Sequence, residues 1–458
     1  MAMHEAAAPE DAAREAPLTL TGIVIYSGPA LGFFFMVLLL LLYFFKFSTD
    51  VLLIAPGVMG LIFGLSRVWD AFLDPLVGYL SDRTRSRWGR RRPWMLAACL
   101  PLAFFFVMLW SPPTGLGGVP LIVWMTVAVF GFFTATTVFI IPHQALGAEL
   151  STSSELRTRL FAVRHVAIGL GLVSAGVGMG WLRESPDPRG AAFWLATVLG
   201  LVTVMAIVLA TAALRERSEY QGRGAGNPLE AYTDVWRNPH ARVVLCSQLV
   251  SSLGGATLMV FAAFYLDYVI QRPDLLLIFF GAYFVPAYVL VPAWLPLARR
   301  VGKKRLWRAA MVLSALGFGG LFLLDEGDGA ALVGLAFLIG IGGGCGQMLA
   351  PAVWADIIDY DEYRTGQRKE GSYFAATSLV VKAAGGFPFV LGGLALEALG
   401  FVPNAAQSEA TRLGLRAIFG LFPALCSLIA SLLLGRLRLT DEEHGRIRDA
   451  LDARSARL

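Results

Sequence analysis

The chain has 458 residues, of which 56% are hydrophobic and only 16% charged, whereas soluble domains carry about 25% charged residues. A net charge of +5 lies mainly in the connections between apolar runs, so it marks membrane topology rather than a nucleic-acid partner. Four widely spaced cysteines indicate neither a disulfide framework nor a metal site.

Twelve apolar runs follow one another, each about as long as a helix that crosses a bilayer. They predict an all-α integral membrane protein with twelve transmembrane helices in two six-helix, pseudo-symmetric bundles. The expected spans are 20–45, 51–80, 93–111, 119–147, 160–182, 191–214, 241–269, 275–298, 306–324, 331–357, 372–398 and 411–437.

The longest polar interruption divides the chain into two sets of six spans, an internal duplication on which many secondary carriers are built. We expect residues 19–214 and 241–437 to form the two bundles, with a cytoplasmic linker at 215–240. Residues 1–18 lack the features of a signal peptide and are expected to be a disordered cytoplasmic tail. Residues 438–458 form a second cytoplasmic tail.

Basic residues are concentrated in the even-numbered connections, for example at 90–92 and 303–305. By the positive-inside bias, these connections and both termini are predicted to be cytoplasmic, in a multi-pass protein of the inner (plasma) membrane. The chain has no Gly-Lys-Ser/Thr phosphate loop, metal-ligand spacing or serine-nucleophile motif, so neither ATP hydrolysis nor another enzymatic activity is expected.

Asp70 and Asp74 interrupt the second span at a spacing of four, which places both carboxylates on one helical face. Ionised carboxylates in hydrocarbon cost several kcal/mol each, so such a pair indicates a site for a proton or another cation.

The segment Gly78-Tyr79-Leu80-Ser81-Asp82-Arg83, followed by Gly89-Arg90-Arg91-Arg92, resembles the cytoplasmic signature of the major facilitator superfamily. Ion pairs of this turn, together with acidic residues at the cytoplasmic end of the tenth span, would form an ionic gate. The alternative is that the arginines only fix topology and the acidic residues are solvated. The expected gate residues are Asp82, Arg83, Arg90, Asp356, Asp359 and Asp361.

Three segments narrow the resemblance. They are Arg67–Pro75 with its continuation Thr84–Trp94, then Ile141–Leu150 with Arg157, Arg159 and Arg164, and Ala355–Gly371 with Lys382. Together they resemble the glycoside–pentoside–hexuronide:cation symporter family, the melibiose permease-like branch of the major facilitator superfamily.

The resemblance implies a secondary active transporter that moves a small solute, a sugar or glycoside, by alternating access with cation symport. It implies that Asp70 and Asp74 bind the cation, assisted by Thr137, with Lys382 beside them. A lysine at this place would leave the pair with one net negative charge, which a proton or Na⁺ could neutralise. The alternative is a structural Lys382 that never changes its state. It also places Arg164 in the sugar region. Polar residues of the fourth, seventh and eleventh spans complete the expected substrate site, which consists of Arg164, Gln144, Gln248, Tyr373, Thr377 and Lys382.

Two departures from the family pattern change these expectations. Leu73 stands where the family usually offers a polar residue, so an oxygen ligand for Na⁺ is missing, and H⁺ is favoured over Na⁺. Uncoupled transport stays open. The neighbourhoods Gly32–Met36 and Thr137–Ile140 lack the carboxylates of the melibiose-type sugar site, and buried polar groups are what recognise sugar hydroxyls.

Two competing functions therefore stay open. On the same fold, the chain could carry an amphiphile such as a lysophospholipid, with the Phe33–Phe35 region as a pocket wall. A non-transporting membrane sensor or assembly factor would not need the gate and cation motifs. The expected partners are a small-molecule substrate and the lipid bilayer, no cofactor is expected beyond the coupling ion, and one chain is expected to function as a monomer.

Overall fold

The computed structural model describes residues 19–150, 154–214, 216, 235–366 and 370–455. The predicted tail 1–18, most of the predicted linker and the last three residues lie outside this part of the chain. All regular elements of the described residues are helices.

We number the helices in chain order. The first bundle contains α1 (Leu20–Asp50), α2 (Pro56–Arg83), α3 (Arg92–Trp110), α4 (Gly118–Glu149), α5 (Ser154–Glu184) and α6 (Pro188–Ala213). The second contains α7 (Pro239–Ile270), α8 (Pro273–Val289 and Pro292–Val301), α9 (Lys303–Leu323), α10 (Gly329–Thr365), α11 (Glu370–Ala398) and α12 (Glu409–Gly435), and α13 (Asp441–Ser455) follows.

Ten of the helices in the described residues are long and apolar enough to cross a membrane, and the two arms of α8 form an eleventh span bent by 45°. The bend follows from Pro286 and Pro292, which remove backbone donors and clash with the preceding turn. α2 has 28 residues, but it is not one of these ten helices, because its charged residues lower its mean hydropathy. It packs between α4 and α11, and we assign it as the twelfth span. The predicted all-α membrane fold is confirmed.

Polar side chains cap the starts of α1 and α7. Thr19 Oγ1 accepts a hydrogen bond from the Gly22 amide at 3.1 Å, and Asn238 Oδ1 accepts one from the His240 amide at 3.0 Å. Proline follows the cap residue of α7, where its missing N–H has no intrahelical partner to lose. These caps fix where the spans begin.

Each half packs around its own helix pairs. In the first half α1 packs against α5 and α6, and α3 against α4 and α6. In the second half α9 packs against α10 and α12, α8 against α10, and α7 against α12. The two halves meet most extensively along α2 and α11, with further contacts of α5 with α8 and of α1 with α7.

Glycines allow α2 and α11 to approach backbone to backbone. A Cβ atom at Gly60 would lie 2.2 Å from the Phe389 carbonyl oxygen, and one at Gly393 would lie 2.4 Å from the Pro56 carbonyl oxygen. Small residues are what permit such close helix packing in membranes. Beside this crossing the rings of Phe63 and Phe389 stack at 4.7 Å, so the two halves are in direct contact here.

The bundle has two ends that differ in charge. We call the end that carries residues 84–91 and 299–305 the basic face, because arginine and lysine are concentrated there. The other end carries residues 51–55 and 399–408 and is called the opposite face. The contact of Gly60 with Phe389 lies in the half of α2 and α11 that is nearer the opposite face.

Candidate functional site

Four predicted residues converge in the middle of the bundle, from three helices. Asp70 of α2 is 2% exposed, and Thr137 of α4 is fully buried. Thr137 Oγ1 contacts Asp70 Oδ1 and lies 3.2 Å from Asp74 Oδ1. Lys382 Nζ of α11 pairs with Asp74 Oδ2 and lies 3.2 Å from Asp70 Oδ2. We call these four residues the carboxylate cluster.

The spacing of four and the helix crossing explain this convergence. Residues four apart on α2 point to one side, and that side faces both α4 and α11. Because α11 belongs to the second half, Lys382 joins the two halves at the cluster. The cation-binding role of these residues stays a prediction, whereas their proximity is a feature of the structure.

Arg67 was not among the predicted site residues. Its Nη1 lies 3.9 Å from Asp70 Oδ2, and its guanidinium carbon lies 3.7 Å from the centre of the Phe133 ring. Its Nη2 is buried and has no hydrogen-bond partner among the described residues. Arg67 and Lys382 therefore face Asp70 and Asp74, so these two cations and two carboxylates together carry no net charge. The expected net charge, without Arg67, was one negative charge. The i, i+3 spacing of Arg67 and Asp70 in the sequence indicates that these two side chains can meet.

The predicted substrate residues do not form one group. Arg164 of α5 has its Nε and Nη2 atoms buried and without a hydrogen-bond partner in the described part of the chain, and its guanidinium carbon lies 5.8 Å from the Phe34 ring centre. Gln144 of α4 is exposed. Gln248 Oε1 accepts a hydrogen bond of 3.1 Å from Trp354 Nε1. These residues belong to different halves, with Arg164 and Gln144 in the first and Gln248 in the second.

The two predicted substrate residues of α11 are packed differently. Tyr373 is 1% exposed, and its hydroxyl accepts a hydrogen bond of 2.9 Å from Asn238 Nδ2 at the start of α7. The Thr377 Oγ1 atom is buried and has no hydrogen-bond partner in the residues that are described. Tyr373 thus faces a neighbouring helix in this conformation, while Lys382, farther along α11, belongs to the carboxylate cluster.

The predicted gate residues make contacts within their own halves at the basic face. Asp82 pairs with Arg91, and the guanidinium of Arg83 lies 4.1 Å from the Tyr79 ring centre. Asp356 receives hydrogen bonds from Lys303 at 2.6 and 2.7 Å. Their role as a gate between the halves stays a prediction.

The other gate residues have partners that the sequence did not reveal. Asp359 Oδ2 lies 3.0 Å from His444 Nε2 of α13, and Asp361 is 7% exposed. The backbone amide of Arg90 donates to Glu216 at 2.7 Å. The next two amides, at 91 and 92, donate to the same carboxylate at 2.8 and 2.7 Å. Glu216 therefore caps the start of α3, a role that no local motif indicated.

A second charged cluster joins the halves at the opposite face. Lys46 of α1 is 6% exposed; it pairs with Asp50 and lies 2.9 Å from Asp267 Oδ2 of α7. Arg183 of α5 contacts Asp267 Oδ1 at 2.5 Å. The Tyr268 hydroxyl donates to Asp50 Oδ2 at 2.7 Å. We call these five residues the opposite-face cluster, and it holds α1 and α5 against α7.

The phenylalanines of the first helix take part in helix packing. Phe33 is 3% exposed, and its ring centre lies 5.3 Å from that of Phe139 on α4. A Cβ atom at Gly171 of α5 would lie 3.3 Å from Phe34 Cβ. These contacts give no support to Phe33–Phe35 as the wall of an apolar pocket.

Comparisons with known proteins identify the family and agree with this fold. The family model described as MFS/sugar transport protein matches residues 25–441. The inner membrane symporter YicJ of Escherichia coli is 28% identical over 404 residues, 85% of each chain. The isoprimeverose transporter of Lactiplantibacillus pentosus is 25% identical, over 79% of this chain and 77% of the other. The glucuronide carrier protein homolog of Escherichia coli is 26% identical, over 89% and 90%.

Solved structures show the same fold at low sequence identity. The nucleoside transporter NupG superposes with a TM-score of 0.67 at 12% identity, covering 92% of this chain and all of the other. A bacterial homologue of the lysosomal transporter Spinster gives a TM-score of 0.64 at 13% identity, covering 93% and 99%. The chain therefore belongs to the MFS/sugar transport protein family, and within it to the glycoside–pentoside–hexuronide symporters.

Proposed function

We propose that the chain is a secondary active transporter that carries a small sugar or glycoside by symport with H⁺. The single observation that supports this most strongly is the carboxylate cluster, where Lys382 of one half meets Asp70 and Asp74 of the other. A site built from both halves changes its geometry whenever the halves move, so ion occupancy and conformation become coupled.

The charge balance suggests how the coupling works. With Arg67 and Lys382 present, both carboxylates are already neutralised, and an added cation has to displace a residue of the cluster. Asp74 has 16% and Lys382 28% of the side chain exposed, whereas Asp70 has only 3%. A proton that reaches Asp74 removes its negative charge and releases Lys382, which can then donate hydrogen bonds to a bound solute.

The donor atoms favour a proton over Na⁺. The cluster offers two carboxylates and the Thr137 hydroxyl, and Leu73 adds no oxygen. Na⁺ is a hard cation that needs several oxygen ligands, as the related hard cations do. The Lys382 ammonium already stands against both carboxylates, so Na⁺ would also have to displace it, whereas a proton needs only one oxygen atom.

We place the basic face in the cytoplasm, with both described ends of the chain on that side of the inner membrane. The opposite face is then periplasmic, and the opposite-face cluster holds the two halves together there. The residues that form this cluster come from both halves of a single chain, which favours transport by a monomer. A carrier of this kind returns to its other conformation when these contacts break.

The test is transport by purified protein in liposomes with a trapped pH indicator. Methyl β-D-xyloside, methyl β-D-glucoside and methyl β-D-glucuronide are added separately, with and without Na⁺, and a lysophospholipid serves as the competing amphiphile. At least one glycoside should drive proton movement that the Asp74→Asn variant lacks. The proposal fails if Asp74→Asn couples as well as the wild type, or if only the lysophospholipid is carried.

A further inference from the structure

An uncharged cavity of about 210 Å³ lies inside the second half, and no residue of the carboxylate cluster lines it. Residues of α7, α8, α9, α10 and α12 line it, and none of those described is charged. The polar and aromatic side chains of the lining include Gln248, Ser251, Tyr283, Trp307, Ser314 and Gln347.

The lining combines neutral hydrogen-bonding groups with aromatic rings. Gln248 Oε1 is occupied by Trp354 Nε1 at 3.1 Å, so its amide NH₂ group remains to donate. The hydroxyls of Ser251 and Ser314 can donate or accept. Tyr283 and Trp307 add flat apolar surfaces. A few placed polar groups among aromatic side chains are what small-molecule sites use to fix a ligand.

Glycines on two facing helices leave this space open, because they have no side chain. A Cβ atom at Gly255 of α7 would have no atom within 4 Å, and one at Gly346 of α10 would lie 3.2 Å from Trp307 Nε1. At about 210 Å³, the cavity is smaller than the ~300–1,000 Å³ of drug-sized pockets and suits a single monosaccharide ring.

The chemistry of the lining selects the class of ligand. A charged ligand would find no opposite charge among the described lining residues, and an apolar ligand would leave the serine and glutamine groups unpaired, which is unfavourable for buried polar groups. A neutral ring with several hydroxyls satisfies both conditions.

We propose that this cavity is a subsite for one neutral sugar ring of the substrate, separate from the site of the coupling ion. The inference rests on the proposed function. It assigns recognition of hydroxyls to the second half and ion coupling to the carboxylates of the first. The missing carboxylates around Gly32–Met36 and Thr137–Ile140 are then compensated by hydrogen bonds from the second half.

The subsite is tested by calorimetric titration of detergent-purified protein with methyl β-D-xyloside and methyl β-D-glucoside. Gly255→Leu places a side chain in the cavity, and Gly334→Leu is the matched control, because Gly334 is exposed and a Cβ atom there also has open space. We expect at least tenfold weaker binding for Gly255→Leu and unchanged binding for Gly334→Leu. The double variant Ser251→Ala/Ser314→Ala should bind about tenfold more weakly through lost hydrogen bonds.

Each outcome decides between the proposals. Glycoside binding that neither Gly255→Leu nor the double serine variant weakens would overturn the subsite and leave the transport proposal standing. A wild-type protein that binds neither glycoside would overturn the subsite, and absence of any glycoside-driven proton movement in liposomes would overturn the transport proposal as well. If Gly255→Leu does not fold, the double serine variant alone decides.

Discussion

Lys382 of α11 reaches from the second half of the protein to Asp74 of α2 and also lies 3.2 Å from Asp70. This lysine is the only cluster member that comes from the second half in the described residues. Its pairing with Asp74 therefore depends on the distance between α2 and α11, and any rearrangement of the halves changes the charge that Asp74 experiences.

Replacing Lys382 with glutamine should remove the dependence of glycoside binding on pH. In the wild type, protonation of Asp74 competes with Lys382, and coupling between proton and solute changes affinity by about 5- to 150-fold in typical cases. Without the lysine, protonation of Asp74 releases no ammonium group for the solute, so binding loses its link to pH. Calorimetric titration of methyl β-D-glucoside at about pH 6 and about pH 8 measures the effect.

The matched control is Arg272→Gln, because Arg272 pairs with Asp274 in an exposed connection and should leave the pH dependence unchanged. A Lys382→Gln protein whose affinity still follows pH as the wild type does would show that Lys382 is only structural.

The Asp267→Asn variant should open the opposite face more often. It removes the charge that faces both Lys46 and Arg183, and loss of one partner leaves a buried charge uncompensated. Ser48 lies between Lys46 and Asp50 in the sequence of α1 and is fully buried. A cysteine introduced there by Ser48→Cys should therefore react several-fold faster with a membrane-impermeant maleimide in the Asp267→Asn background.

Asp274→Asn serves as the control for this experiment, since Asp274 lies in the adjacent exposed connection and pairs only locally with Arg272. Equal labelling rates in the Asp267→Asn and Asp274→Asn proteins would mean that the opposite-face cluster does not hold the halves closed.

A single methyl group at Gly60 should weaken the contact of the two halves. The added Cβ atom would lie 2.2 Å from the Phe389 carbonyl oxygen, so α2 and α11 have to move apart. Overpacking of this kind costs about 1–3 kcal/mol. Gly60→Ala should lower the Tm in detergent, whereas Gly28→Ala on α1, where a Cβ atom has no neighbour within 4 Å, should leave it within error of the wild type.

Glu216→Ala should destabilise the start of α3. The carboxylate accepts hydrogen bonds from the backbone amides of residues 90, 91 and 92. The loss of a helix cap costs about 0.5–2 kcal/mol of stability. We expect a lower Tm than for Glu326→Ala, which is the control because the Glu326 carboxylate accepts a hydrogen bond from Gln271 at an exposed site. A Tm equal to that of the control would mean that water replaces the cap without loss.

The sequence predicts the spans well because each one is a long apolar run with polar connections. The bend of α8 is harder to predict, since prolines are tolerated in membrane helices and only the packing of Pro286 and Pro292 decides how far the helix turns. For α2 the same charges that mark the functional site lower its apolarity, so the span is recognised by its length and its neighbours.

The candidate site is predictable where its contacts are local. The spacing of Asp70 and Asp74 indicates one face, and the family resemblance adds Thr137 and Lys382. The contact of Lys46 with Asp267 joins residues 221 positions apart (267 − 46) and depends on how two whole bundles approach each other. Tyr373 shows the same limit, because its spacing to Thr377 gives a shared face but not the neighbour, which is Asn238.

The charges of α2 also have a consequence for biogenesis. This helix leaves the ribosome about 300 residues before its partner Lys382 (382 − 74 = 308), so it has to enter the membrane without that lysine. Arg67 lies one turn from Asp70, and Thr137 arrives next with α4. The first half can therefore shelter the two carboxylates during synthesis, and the arrival of α11 completes the carboxylate cluster by supplying its last charge.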